Sequence, residues 1–532
     1  MNYKRTKDIL LLASVFVTGA AVLIVEIIAI RILAPYYGNT IYTASSVIST
    51  ILAALSLGYY LGGIVSDKYP EHGVFYGIIF VSGFLIIFIQ FLNNAILPLF
   101  GLLFSISIGP LISSIFIFFI PAFSLGMLSP FAVKLHHVKY AKAVALPKAE
   151  QFNMVNKKEQ DKVGSQSGEV FFWSTMGSIV GSLLSGFILI PNFGINSIII
   201  GTGIIISIWG ICGFLFFRSS SKSNNIIIFM ILFFVSEIFF LWFYTPQKQN
   251  NVLYEKDGIY EKIKISDSQW NNQPARFLFL DKSQASAMYL DSDKMVFDYT
   301  KYYQLYKLFN LKYTSALVIG GGAYSIPKAF LNDSPEMQVD VSEIEPELFG
   351  LAQKYFNLQN NARLTNYTED GRRLLSEKRK KYDIIVSDVY YSFFSIPIHF
   401  TTKEFFDLAK NRLNLDGVFI GNFTGDLNPQ SPSLILSEIK TFKEVFPNSY
   451  FFAVDSALSK YPQNIIFLGI NGQKKIDFES NEILKSSNPI IKNLPQKNID
   501  ISQFEFSRYL KITDNFSPIE YLIGKIINNW YR

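Results

Sequence analysis

The sequence predicts two unlike halves: a multi-pass α-helical membrane domain, then an α/β Rossmann-like domain of S-adenosylmethionine-transferase type opened by a small β-sheet. Three observations predict this. Only 17% of the 532 residues are charged and 50% are hydrophobic, with the shortage of charge confined to the first half; an average soluble domain carries about 25% charged residues. Runs of about 18–25 mostly apolar residues with few charges, the length of a membrane-spanning helix, recur before residue 245. Past Asn250 the pattern changes to short β-type runs alternating with helical stretches, as in a doubly wound parallel sheet. The net charge of +6 is small for the length and argues against a nucleic-acid partner. A single cysteine, Cys212, excludes an intrachain disulfide framework, and with four histidines it leaves little material for a zinc cluster, so no metal is expected.

In the first half, residues 9–33, 41–64, 74–92, 170–190, 195–217 and 226–244 each read as a span. The apolar region 95–133, broken by Gly109-Pro110, holds one crossing or two, which gives seven or eight in all. A cleaved signal peptide explains the N-terminus poorly, because the first run is too long and more follow. Lys4, Arg5 and Lys7 put the N-terminus inside, and the nearly uncharged loops 35–40 and 191–196 outside. Seven spans deliver the second half outside the cell; eight deliver it to the cytoplasm but leave the basic loop 134–168 external. Glu26, Arg31, Asp67 and Glu237 are ionisable groups in or at these helices, and either pair to hold the bundle together or handle substrate or protons. Gly58, Gly62 and Gly63 are small enough to let helices approach.

The second half divides at about residue 310, giving a membrane domain over 1–248, a small β-rich domain over 249–310 and a Rossmann-like domain over 311–532. IYEKIKIS and ARFLFLD suggest antiparallel strands, and a helical stretch covers 297–309. The apolar strand 316–320 runs into Gly320-Gly321-Gly322-Ala323-Tyr324-Ser325 and then a helix reaching Leu331. Strands follow over 338–344, near 363–367, over 382–387 and over 417–423, with a helix over 402–413. Glycines after the first strand let backbone approach a ligand, and the following helix N-terminus offers amide donors. Glu343 lies about 20 residues downstream at the second strand's end, where an acid accepts from ribose hydroxyls. Asp370-Gly371 and Asp388 close the third and fourth strands. A tight turn would explain the glycines alone and a strand-end cap Asp388 alone; four successive strand tips point to a nucleotide-type ligand.

These residues carry a family resemblance. From residue 254 to about 422 the chain resembles the spermidine synthase (polyamine aminopropyltransferase) family, through YEKDGIYEKIKI, LDKSQASAM, VFDYTKYY, ALVIGGGAYSIPKAF, VDVSEIEPELFGLAQKYF, EDGRRLL and YDIIVSDVYYSFFSIPIHFTTKEFF. The first half is similar to the membrane region fused to some bacterial and archaeal members, through VEIIAIRILAPYYGNTIYTASSVI, LSLGYYLGGIVSDKYP and TMGSIVGSLLSGFILIPNFG. About 110 C-terminal residues match loosely.

The resemblance implies a transferase whose co-substrate is decarboxylated S-adenosylmethionine, whose acceptor is an amine such as putrescine, and whose product is methylthioadenosine. Gly320, Gly321 and Gly322 would bend around the aminopropyl or methionine part, Glu343 would hold the ribose, Asp370 and Gly371 would meet the adenine, and Gln284 would face the nucleoside. Asp388 matches the catalytic aspartate. Tyr260, Tyr390 and Tyr391, with Phe393 and Phe394, would form an aromatic acceptor mouth able to hold an amine by cation–π contact or to accept an apolar, lipid-like substrate. The chain departs from the family where Ala323 and Tyr391 replace acids, where Glu261 replaces a glutamine, and where a histidine expected near Asp298 and Tyr299 is missing. His399 lies near the mouth. The expected partners are the amine, the sulfonium nucleoside and the lipid bilayer, with a homo-oligomer left open; the expected place is the cell membrane, with the catalytic domain cytoplasmic. Two other readings stay open: an S-adenosylmethionine-dependent transferase acting on a membrane substrate, and a polyamine transporter or sensor whose nucleoside domain does not turn over.

Overall fold

Apolar runs without backbone partners in their surroundings satisfy their own amides most economically as helices. In the computed structural model, which describes residues 2–143, 163–217, 250–292, 294–309, 311–389, 396–530 and isolated positions between 228 and 239, the first half is helical throughout its described parts. The chain divides into two compact units, Met1–Lys248 and Gln249–Arg532. The helices of the first are α1 (Asn2–Tyr37), α2 (Ile41–Lys68), α3 (His72–Ala95), α4 (Leu97–Leu103), α5 (Gly109–Gly126), α6 (Leu128–Ala143), α7 (Val163–Leu184) and α8 (Ile195–Phe216).

Six segments among the described residues are long and apolar enough to cross a bilayer: Arg5–Tyr37, Ile41–Lys68, His72–Ala95, Gly109–His136, Val163–Asn192 and Ile195–Phe216. Seven or eight were expected from sequence. The region 95–133 supplies one long segment plus the short α4, because Gly109-Pro110 starts a helix instead of breaking one; proline at the first turn costs no hydrogen bond. The candidate span 226–244, with Glu237, lies largely outside the described residues.

Large apolar side chains such as Leu52, Phe116 and Phe187 point outward from α2, α5 and the turn Ser185–Leu189 that follows α7, as a lipid-facing surface requires. Where α2 crosses α5 the contacts are backbone on backbone. A Cβ on Gly58 would sit 2.4 Å from the Phe123 carbonyl oxygen, and one on Gly62 2.5 Å from that of Met127, so α2 and α5 touch only because both residues are glycine. Gly63 faces open space and has no such part. Glu26 and Arg31 lie within α1, while other charges pair at one end of the unit, where Lys134 Nζ lies 2.7 Å from Asp67 Oδ1 and His136 lies 3.3 Å from Glu169. The turns at the opposite end, residues 38–40, 96–108 and 193–194, carry no charge. Asp67 is therefore an ion-pair partner at a helix end.

The second unit opens with a four-stranded antiparallel sheet, β1 (Val252–Asp257), β2 (Lys262–Trp270), β3 (Gln273–Leu280) and β4 (Ser283–Tyr289), paired in sequence order. The stretch expected as a helix over 297–309 is a 3₁₀ segment, Tyr299–Phe309. Next come β5 (Ser315–Ile319), α9 (Ser325–Asp333), β6 (Gln338–Ser342), α10 (Leu348–Tyr355), β7 (Leu364–Tyr367), α11 (Gly371–Glu377), β8 (Tyr382–Ser387), α12 (Lys403–Asn411), β9 (Leu413–Gly425), α13 (Leu434–Val445), β10 (Ser449–Ala453) and β11 (Gln463–Ile470). The strands form one seven-stranded sheet in the order β10-β11-β9-β8-β5-β6-β7.

The sheet is mixed rather than wholly parallel: β5 to β9 run parallel, while β11 pairs antiparallel with β9 and β10 with β11. Its central strands read as unbroken apolar runs because both faces are covered. Ala316 and Val318 of β5 face one core with Phe330, Val339 and Ile384; Leu317 and Ile319 face the other with Phe405, Phe419 and Phe442. From β5 the chain first builds outward through β6 and β7, then returns to the other side of β5 as β8. That reversal opens a crevice at the carboxyl ends of β5 and β8, the place where open α/β sheets take ligands.

Candidate active site

The crevice is a cleft lined by the tips of four neighbouring strands. Gly320, Gly321 and Gly322 follow β5; Glu343 follows β6; Glu369, Asp370 and Gly371 follow β7; and Asp388 follows β8. Tyr299, Ala285, Ser286 and Phe400 close its sides. Seven residues singled out in the sequence thus come together.

The glycine turn is fixed by geometry that only glycine meets. Gly320 has φ +91°, and a Cβ there would lie 2.1 Å from the Asp388 carbonyl oxygen. Its own N–H donates to the Ser342 carbonyl at 2.9 Å, while the Asp388 N–H donates to the Ile319 carbonyl at 2.9 Å. The β5 and β8 tips are therefore laced together at the point where Asp388 begins. Glu343 is buried, and burial pushes its carboxyl above the usual range against the pull of three backbone N–H groups. Its Oε2 accepts from Gly321 at 2.8 Å and Gly322 at 3.1 Å, and its Oε1 from Glu345 at 2.9 Å. Glu343 thus shapes the glycine loop as well as facing the cleft.

Asp370 caps α11, accepting from the Arg373 N–H at 3.0 Å. Its other oxygen lies 2.9 Å from His399 Nε2. Burial opposes ionisation of Asp370, yet the hydrogen bonds from His399 and the backbone outweigh it, and its carboxyl lies below the usual range. Arg372, hydrogen-bonded to the His399 carbonyl and paired with Asp514, ties this side together. Asp388 is pushed up to about 6, chiefly by burial, against a hydrogen bond that Asn422 Nδ2 donates to Oδ1 at 3.0 Å. The hydroxyl of Tyr299, raised well above its ordinary range by burial and by Asp388, stays protonated beside it.

Other sequence candidates fall elsewhere. Gln284 is exposed, and its neighbours Ala285 and Ser286 form the cleft wall. A bulge between β3 and β4, where Leu278 opposes Ser286 and Phe279 opposes Gln284, accounts for this, since an extra residue re-aims the side chains around it. Tyr260 gives its backbone N–H to Glu345 at 3.0 Å, with its ring largely exposed. Tyr390, Tyr391, Phe393 and Phe394 lie outside the described residues. Ala323 is buried among Ile263, Leu278 and Met288 in the core of the small sheet. Sequence reasoning passed over Asn422 and undervalued His399. The signal for the first was a buried amide inside the apolar run GVFIGNF.

The described lining holds four carboxylates, Glu343, Glu369, Asp370 and Asp388, and no lysine, arginine or histidine, although His399 reaches Asp370 from just outside it. A cleft of that kind attracts a cation and repels a carboxylate or phosphate.

A family model described as Spermine/spermidine synthase domain matches residues 296–480. The chain is 26% identical to a polyamine aminopropyltransferase of Vibrio vulnificus (strain CMCP6) over 287 residues, 52% of this chain and 92% of that protein. It is 32% identical to an eEF1A lysine and N-terminal methyltransferase of Xenopus laevis over 193 residues, but spans only 26% of that protein and uses 34% of its own length. Among solved structures it is similar to a probable spermidine synthase from Corynebacterium glutamicum ATCC 13032, with 20% identity, 50% of this chain and 97% of that chain covered, and a TM-score of 0.43.

Proposed function

We propose that this chain, a transferase of the spermidine synthase family, moves the aminopropyl group of decarboxylated S-adenosylmethionine to an amine acceptor such as putrescine. The observation that carries this reading is the charge of the cleft: four carboxylates and no cation among its lining residues suit a sulfonium nucleoside and an ammonium together. The glycine loop supports the decarboxylated donor in particular. The Gly321 and Gly322 amides, which could otherwise receive an amino-acid carboxylate, are already given to Glu343.

In this reading Asp388 accepts a proton from the incoming ammonium, and its carboxyl, pushed up to about 6, is matched to that task near neutral pH. The freed amine attacks the methylene carbon bonded to the positive sulfur. The C–N bond forms as the C–S bond breaks, and methylthioadenosine leaves neutral with the electron pair. The proton on Asp388 passes to water. Glu343 holds the ribose, and Asp370 the adenine. The acceptor's far end meets the aromatic mouth, without the acids that Ala323 and Tyr391 replace. The six apolar helices support a multi-pass protein of the cell membrane. The six crossings among the described residues, with Lys4, Arg5 and Lys7 inside, would return residue 216 to the cytoplasmic side, and a crossing over 226–244, largely outside the described residues, would carry the second half across again.

The purified full-length protein, incubated with an amine panel and either sulfonium, tests this reading. Methylthioadenosine formed from decarboxylated S-adenosylmethionine is the expected result. S-adenosylhomocysteine formed from S-adenosylmethionine would instead establish the reading as a transferase of another kind, and binding without either product would leave a sensor or transporter. A second expectation concerns the adenine side. His399→Ala removes a donor that holds Asp370 ionised, so the Asp370 carboxyl titrates at higher pH. Calorimetric titration with methylthioadenosine is expected to show affinity failing on the acid side at a higher pH than in the unaltered protein.

A further inference from the structure

We propose that Asn464 is a positioning residue for the reaction, acting through Asn422 to fix the orientation and the ionisation of Asp388. This inference rests on the reading of Asp388 as the base. An ionised carboxylate only accepts hydrogen bonds, so Asn422 serves it only if the amide presents its nitrogen. The two ends of an amide are nearly alike in shape, and what decides which end faces Asp388 is the partner on the far side. That partner is Asn464, whose Nδ2 donates to Asn422 Oδ1 at 2.9 Å. With its oxygen engaged, Asn422 turns Nδ2 to Asp388 Oδ1 at 3.0 Å.

The relay is built into the sheet. It crosses three adjacent strands, β11, β9 and β8. Ser387 is paired with Gly421, so Asp388 follows beside Asn422; Thr424 is paired with Asn464 and Asn422 with Ile466, so Asn464 is the diagonal neighbour of Asn422. Asn422 is buried, and a buried amide with both ends satisfied holds one orientation. Among the described lining residues, the other titratable groups around Asp388 are Tyr299 from the 3₁₀ segment, Glu343 after β6, and Glu369 and Asp370 after β7. None of them can offer a positive charge, and Tyr299 itself donates to the Ala285 carbonyl at 3.4 Å. Burial makes the Asp388 charge costly, and Asn422 is the group that pulls the other way. Engaging Oδ1 also leaves Oδ2 for the acceptor's proton.

The relay is tested by the pH profile of kcat/KM in the full-length protein. Asn464→Asp keeps the size and removes the donor; Asn422 then turns its nitrogen to residue 464 and its oxygen to Asp388. The acid limb is expected to move up by about 1 in pH. Through-space charge is separated from the relay by the same change in an Asn422→Leu background, where it is expected to move the limb no further. A limb that stays put in Asn464→Asp, or moves equally in both backgrounds, overturns the inference. Activity unchanged in Asp388→Asn would overturn the base reading instead. In that case the pH dependence of the thermal midpoint, which falls as Asp388 ionises, reports the relay without turnover: a fall displaced upward in Asn464→Asp sustains it, and an undisplaced one ends it.

Discussion

Asp388→Asn is expected to lower methylthioadenosine release by about 10²–10⁴-fold, the usual contribution of a positioned general base, and at the same time to make the protein more stable. Both effects follow from one fact. Burial raises the Asp388 carboxyl from its ordinary 3.8 to about 6. A carboxyl with a raised folded-state value contributes stability that is fully present below the unfolded value and lost as pH rises through the folded one. At neutral pH the ionised Asp388 therefore costs roughly 2–3 kcal/mol, which the neutral amide avoids. In detergent the variant's thermal midpoint is expected to lie above that of the unaltered protein at neutral pH, and the two are expected to converge as pH falls below about 4. A variant that is inactive and less stable would show that the residue is a structural cap.

Gly320→Ala is expected to have the largest effect on the fold of any single methyl added to the site. The backbone there is at φ +91°, where a side chain is strained, and the new Cβ would lie 2.1 Å from the Asp388 carbonyl oxygen, a backbone atom that cannot swing away. The β5 and β8 tips must part, at a cost of about 2–4 kcal/mol, and the cleft loses the register between the glycine turn and Asp388. Thermal midpoint and methylthioadenosine affinity are expected to fall together. Gly350→Ala is the control: it sits in α10 with open space around it, and alanine there favours the helix. Equal losses in both would mean that the Gly320 geometry is unimportant.

Local patterns in the sequence sufficed for much of this. A strand with an unbroken apolar run, such as residues 316–319 of β5 or 384–386 of β8, announces burial on both faces, and glycine or acid at the end of each announces the ligand side. That is why Gly320, Glu343, Asp370 and Asp388 could be named before the cleft was seen. The apolar runs likewise identified the helices, because hydrocarbon-length segments with so little charge have few other uses. Where the reading fell short, the missing information was relational. The Gly109-Pro110 pair looks the same whether it breaks a helix or starts one. Gln284 occupies an expected place in its motif, and only a bulge in the pairing of β3 with β4 shows that Ala285 and Ser286 face the cleft. The antiparallel edge formed by β10 and β11 lies in the part of the chain where the resemblance was loose.

The sequence by itself determined the two kinds of half, the strand tips that meet, and the glycines or acid at each tip, since these depend on residue type at short spacing. The tertiary structure decided how the acids behave. Glu343 is a loop-holding group because the Gly321 and Gly322 amides reach it, and Ala323 is core because the small sheet packs over it. Asp388 is a base candidate because burial raises its carboxyl and Asn422, set by Asn464 from a strand some forty residues further on, holds it in place. Ionisation energies depend on what surrounds a group in space, and folding brings those surroundings from far along the chain.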